Sequence, residues 1–192
     1  SGRYGSGAIE HALLSAAVTE MGRYYGLPVE ASTGGTDHHI PSIQAGYERA
    51  LNWSLPVLSW PDILVGPGLL SGSTILSFEQ LIIDIEIFQR CKRMARGIDT
   101  GEERWLDDVI ARVGPGGNFL AQRSTREALR SGEWQLSELG VHAPYETWET
   151  SGKDLLVEAR EKIDRALASH QPLPLDEAAL RELQRIESCA GE

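Results

Sequence analysis

Apolar residues in the middle of the chain follow two different rhythms. Ile63-Leu64-Val65 is a short unbroken run between Pro61 and Gly66, too brief for a helix. It predicts a strand buried on both faces. Beyond the loop Gly66–Thr74 the spacing changes. Phe78, Leu81, Ile82, Ile85, Phe88 and Ala95 recur every three or four residues, and Ile83, Ile87 and Met94 add a second stripe. That pattern predicts a helix packed on both sides. Ser77 stands before it with Gln80 three residues on, the spacing of a capping box. Gly97 followed by Ile98 supplies a left-handed stop and a hydrophobic follower. The order is strand, glycine loop, helix, and in α/β proteins such loops lie at the carboxyl ends of strands, where ligands bind.

The same order occurs once before. A helix is expected from about Ala8 to Tyr25, capped by Ser6, with Ile9, Leu13, Ala16, Ala17, Met21 and Tyr24 facing inward. Gly26 and Pro28 stop it. Val29–Thr33 reads as a second strand and ends in Gly34-Gly35-Thr36-Asp37-His38-His39. Pro41 opens a helix with Ile43, Tyr47, Ala50, Leu51, Leu55 and Leu58 on one face. Pro56 lies inside that pattern, so a kink near Asn52 or an early end is expected. Helices alternating with strands predict parallel strands joined by crossovers.

After Gly97 the character is helical. Thr100 and Glu103 form a capping box before Trp105, Leu106, Val109, Ile110 and Val113, and Gly114–Gly117 breaks that helix. Ser124–Glu127 caps a short helix, and Trp134, Tyr145 and Trp148 fall in an irregular stretch expected to wrap a core. Ser151 and Asp154 start another helix, ended by Pro172 and Pro174, and an amphipathic helix runs from about Asp176 to Ser188. Two parallel strands alone leave both edges bare, and a closed (β/α)8 barrel takes roughly 250 residues. The pattern therefore reads as α/β: a partial TIM (β/α)8 barrel, its last strands and helices in residues 1–98, with a helical C-terminal extension over residues 99–192. The bare edges also give the expectation of a homo-oligomer.

Charge narrows the partners. Eighteen basic against 28 acidic residues among 192 leave a net charge of −10, which disfavours nucleic acid and anionic membranes. The longest apolar stretches are far shorter than a membrane span. Cys91 and Cys189 show no metal or redox spacing, so no metal site is expected. Cys91 reads as a buried thiol suited to a reducing, cytoplasmic setting.

Several segments, in colinear order, resemble the trimethylamine methyltransferase family. They are Tyr24-Tyr25-Gly26-Leu27-Pro28, Gly35-Thr36-Asp37 with Gln44-Ala45-Gly46-Tyr47-Glu48, and Phe78-Glu79-Gln80-Leu81 with Asp84 and Glu86. Val113-Gly114-Pro115-Gly116-Gly117, Tyr145-Glu146-Thr147-Trp148 and Lys153-Asp154-Leu155-Leu156 continue the match. The resemblance implies a TIM barrel, represented by its carboxyl-terminal portion. It also implies transfer of a methyl group from a methylated amine, such as trimethylamine or glycine betaine, to a Co(I) corrinoid carried by a partner protein. Members specific for trimethylamine carry pyrrolysine, which does not occur in this sequence. Members without it include glycine betaine methyltransferases, so the resemblance favours a quaternary amine, and the loop at the corresponding region makes His38 and His39 the catalytic candidates. Asn118 and Ser124 stand where the family more typically has histidine.

Such chemistry needs a cation held in a dry pocket with its methyl group aligned. Aromatic faces and carboxylates do this, and Asp37, Glu79, Tyr4 and Trp60 are the candidates. The carboxylate of a betaine would take donors from His38, His39, Ser71 or the amides of Gly68 and Gly72. Adjacent His38 and His39 are expected to point apart, so that at most one faces the pocket. Gly66–Ser73 also suits a phosphorylated metabolite, the alternative enzyme reading, although no Lys or Arg stands in that loop. A non-catalytic truncated homologue is the third reading.

Overall fold

Strands β1 (Glu30–Ser32) and β2 (Ile63–Val65) lie side by side and parallel in the computed structural model, which describes residues 4–190. Glu30 pairs with Ile63, Ala31 with Leu64 and Ser32 with Val65. The amides of Ile63 and Asp62 extend the ladder to Val29 O at 3.1 and 3.0 Å, and Thr33 N reaches Val65 O at 2.9 Å. Helix α1 (Ile9–Tyr24) packs on β1 and on α2 (Ile43–Ser59), the crossover between the strands. Next in line come α3 (Phe78–Ala95) and α7 (Leu155–Ser169), each packed on its predecessor. Trp53, Val57 and Cys91 form the core, with Leu64, Ile87, Phe88 and Ala95 against it.

Ser77 caps α3 by accepting the Gln80 amide at 3.2 Å, and Gly97 follows the helix at φ +68°. Asp154 caps α7 through Val157 N at 2.9 Å. Asp176 holds Ala179 N at 2.8 Å at the start of α8 (Glu177–Ala190). Several local expectations are corrected. Ser6 does not cap α1, whose N-cap is Ala8 without a side-chain bond. Pro56 does not end α2. It lacks the N–H that would bond to Asn52 four residues back, and that carbonyl instead accepts the Gly34 amide at 3.3 Å. The glycine loop contains a hairpin of β3 (Leu69–Leu70) and β4 (Ile75–Leu76), whose turn puts Ser71, Gly72 and Ser73 at positive φ. Beyond Gly97, a 3₁₀ turn (Glu102–Arg104) and left-handed Leu106 precede α4 (Asp107–Val113) in place of a Thr100 cap. Ser124 lies inside α5 (Arg123–Arg130), and Tyr145 and Trp148 belong to α6 (Tyr145–Ser151).

The larger correction concerns which faces are inside. β2 is not buried on both faces: Ile63 is exposed. On α1 the inward positions are His11, Ala12, Ser15 and Thr19, while Leu13, Val18 and Met21 are exposed. On α2 they are Glu48, Arg49, Asn52 and Trp53, and Ile43, Tyr47 and Leu51 are exposed. On α3 they are Gln80, Asp84 and Cys91, and Phe78, Ile85 and Met94 are exposed. Beside the apolar contact of Trp53, Val57 and Cys91 with Ile87 and Phe88, the helices meet their neighbours through hydrogen-bonded polar residues, and much of each apolar stripe faces outward. In the described residues past Gly97, Val109, Leu139 and Ala159 alone are buried.

Candidate functional site

Helix α2 holds both glycine loops at once, through side chains that share its inward face. The Glu48 carboxylate accepts from Thr36 Oγ1 at 2.5 Å, Asp37 N at 3.1 Å and Gln44 Nε2 at 2.8 Å. Asn52 Nδ2 donates to Gly35 O at 3.0 Å and Ser6 O at 3.3 Å. Arg49, wholly buried, turns the other way. Its Nη2 donates to Gly66 O at 3.0 Å, its Nη1 to Leu69 O, and its Nε to Asp84 Oδ1 at 2.6 Å. Asp84 also accepts the Gly68 amide at 2.6 Å and Gln80 Nε2 at 2.9 Å. Burial pushes the Asp84 carboxyl up, while Arg49, the Gly68 amide and Gln80 pull it down.

The two strand ends held in this way open on one cavity of about 200 Å³. Thr33, Gly34, Gly35 and Thr36 wall it beyond β1, and Gly66, Leu69 and Ser73 beyond β2. Tyr4, Ser6 and His11 close the side toward α1. The wall is rich in acceptors. Thr33 Oγ1 donates its proton to Val65 O at 2.8 Å, Ser6 Oγ to Thr36 O at 2.9 Å, and Thr36 Oγ1 to Glu48. Their hydroxyl oxygens keep lone pairs, and no Lys or Arg is among the lining residues. No Asp or Glu lines it either, so the result is a neutral, hydroxyl-bearing pocket with the Asp37 and Glu48 carboxylates behind its wall.

His11 belongs to this wall, which its sequence context alone did not single out. Its Nδ1 donates to Ser6 O at 3.1 Å, which leaves Nε2 as the acceptor of the neutral ring. The Tyr4 ring meets it edge-on at 5.9 Å. Gly35 makes room for it, since a Cβ there would sit 2.5 Å from His11 Nδ1. Gly66 is as constrained: at φ +113°, a Cβ would stand 2.5 Å from Thr33 O.

The other candidates separate. Asp37 stands behind the wall, where Oδ1 accepts Ser6 N at 3.0 Å and Ser6 Oγ at 3.1 Å; it does not cap α2, since Ser42 does. His38 Nδ1 lies 2.9 Å from Ile40 O and 3.0 Å from Ser42 Oγ. His39 Nδ1 lies 2.8 Å from Ser71 Oγ. The two imidazoles do not point apart: they stack with centroids 6.3 Å apart, and neither lines the cavity. The amides of Gly68, Ser71 and Gly72 are engaged by Asp84, His38 O and Thr36 O. Glu79 is bound to Ser77 and to Arg160 of α7, away from the cavity. Its own backbone amide, then Ser77 and Arg160, hold its carboxyl below the usual range. Trp60 caps the carboxyl end of α2 beside Asp62, at the opposite end of the strands.

The profile described as trimethylamine methyltransferase (MTTB) matches residues 1–187. The chain belongs to the trimethylamine methyltransferase family. It is similar to the trimethylamine methyltransferase MttB of Methanosarcina barkeri (strain Fusaro / DSM 804), 36% identical over 181 residues, which cover 94% of this chain and 36% of that protein. Similarity to MttB of Desulfitobacterium hafniense (strain DSM 10664 / DCB-2) is 30% over 181 residues, 94% of this chain and 36% of the relative. The glycine betaine methyltransferase of Desulfitobacterium hafniense (strain Y51) is 30% identical over 193 residues, 100% of this chain and 40% of that protein. The chain thus spans between 36% and 40% of the length of these curated members of the family.

Proposed function

We propose that this chain forms part of a methyltransferase site that takes the methyl group of a methylated amine, trimethylamine or glycine betaine among them, for delivery to a Co(I) corrinoid carried by a partner protein. The observation that carries the reading is the cavity where the β1 and β2 ends meet, walled by hydroxyls with the Asp37 and Glu48 carboxylates behind them and without Lys or Arg in its lining. Its parallel strands and alternating helices fit a segment of a TIM barrel, the remaining strands coming from outside the described residues. A corrinoid macrocycle is far larger than about 200 Å³, whereas a small amine is not. The acceptor would therefore approach the mouth and present cobalt(I) as the nucleophile.

The residues of this chain then have defined tasks. Tyr4 offers a ring face to an ammonium group. The oxygens of Ser6, Thr33 and Thr36 surround it with partial negative charge, backed by Asp37 and Glu48. A quaternary amine leaves as a neutral amine, so no proton donor is required at nitrogen; the site binds, orients and excludes water. The phosphometabolite reading loses its basis, because the loop amides it would use are engaged within the protein.

Calorimetry with glycine betaine, trimethylammonium and a sugar phosphate tests the reading. Binding of a methylated ammonium that Asp37→Ala weakens is expected; no ammonium binding, or phosphate binding that Asp37→Ala alters, would overturn it. Methyl transfer to a Co(I) corrinoid, followed by visible absorbance with and without the rest of a family-length chain, separates an enzyme from a binding protein.

A further inference from the structure

Positive charge gathers at the far end of α3, on a protein whose net charge is −10. Lys92, Arg93 and Arg96 lie there beside Ile85, Phe88 and Gln135 around a groove of about 510 Å³. That volume falls within the ordinary range for small-molecule sites, roughly 300–1,000 Å³. The groove shares no lining residue with the cavity at the strand ends.

The three cations have different tasks. Arg93 builds the wall: its Nε donates to Glu133 O at 3.1 Å, its Nη2 to the Glu133 carboxylate at 3.2 Å, and its Nη1 to Gly97 O at 2.7 Å. Arg104 lies 3.8 Å from the same carboxylate, so Glu133 is neutralised. Lys92 and Arg96 are exposed and form no ion pair among the described residues, in which ion pairs are otherwise frequent. Lys92 Nζ rests 5.7 Å from the Phe88 ring centroid, so the ring supports the ammonium from below. The helix dipole favours cations at this end, yet it does not account for an apolar floor or a concave shape.

We propose that this groove binds an organic phosphate. Lys92, in the last turn of α3, and Arg96, the residue that follows the helix, take the phosphate oxygens; exposed Ile85 receives the apolar or ring portion; the Gln135 amide serves a neutral polar group. Inorganic phosphate would use the cations alone and bind more weakly.

Equilibrium dialysis of the chain with adenosine monophosphate, and in parallel with inorganic phosphate, tests this, and its readout does not depend on the oligomeric state. Retention of the nucleotide is expected, falling about tenfold for each of Lys92→Ala and Arg96→Ala. Both side chains are exposed, and far-UV circular dichroism checks that the fold is kept. Absence of retention at low salt, retention unchanged in the double variant, or equal retention of inorganic phosphate would each overturn the proposal.

Discussion

Arg49 and Asp84 face each other with neither side chain reaching solvent, Nε 2.6 Å from Oδ1 and Nη2 on Oδ2. The pair joins α2 to α3 and fastens the Gly66–Leu69 loop between them. Desolvating two charges is costly, so such a pair adds little over an apolar replacement, but removing one partner strands the other. Asp84→Leu or Arg49→Leu alone is expected to cost about 3–5 kcal/mol in urea unfolding. The double variant Arg49→Leu/Asp84→Leu should lose less than the sum. Simple additivity would show that the two charges do not depend on each other.

Much of the local structure was legible in the sequence, and the burial was not. Gly97, Ser77 and Asp154 end or start their helices through short-range chemistry, which a sequence carries within a few residues. Periodicity locates an apolar stripe but not which way it faces. Ile43, Tyr47 and Leu51 were expected inward and lie outward, because Glu48, Arg49 and Asn52 find hydrogen-bonding partners as far as 11 to 46 residues away. The usable signal was a polar stripe at helical spacing inside an apolar helix: His11, Ser15 and Thr19 on α1, Gln80 and Asp84 on α3. Read as the packing face, those stripes would have brought His11 to the cavity.

Gly66 sits where the two strand ends meet, with φ +113° and Thr33 O in the space a Cβ would take. That oxygen is backbone and cannot swing aside. Gly66→Ala combines a strained backbone with a direct clash, and a loss of about 2–3 kcal/mol is expected. The same variant should weaken ligand binding at the cavity by separating Thr33 from Leu69. Gly26→Ala, at φ +65° with open space around it, is the control for strain without a clash. Equal losses in the two would exclude the clash as the cause.

Asp37 and Glu79 were equivalent candidates and are now distinguishable. Asp37→Ala removes a carboxylate behind the cavity and frees Ser6, so weaker binding of a quaternary amine is expected by calorimetry. Glu79→Gln should leave that binding unchanged and act on stability alone, by about 0.5 kcal/mol at pH 7. The folded-state pKa of Glu79 is lowered from 4.5. Its contribution is therefore present above the ordinary glutamate range and disappears as pH falls through the lowered value. Unfolding curves of the parent and Glu79→Gln should converge in acid; a difference that persists there would assign the effect to packing.

The outward stripes have a consequence for the isolated chain. It exposes 13880 Å², against roughly 9,000 Å² expected for a folded monomer of this mass. Leu13, Val18 and Met21 on α1 and Ile43, Tyr47 and Leu51 on α2 are among the exposed residues, next to a two-stranded sheet with both edges unpaired in the described residues. Apolar surface of this extent drives association, and bare strand edges template it. Sedimentation velocity should show the chain self-associating at micromolar concentration, with strong binding of an apolar dye. Replacing Leu13, Val18 and Met21 by Gln, which leaves the polar inward face intact, should shift the distribution toward monomer without loss of helicity. A monomeric parent that melts cooperatively at high temperature would mean that these stripes are covered within the chain itself, and the partial-barrel reading would go with them.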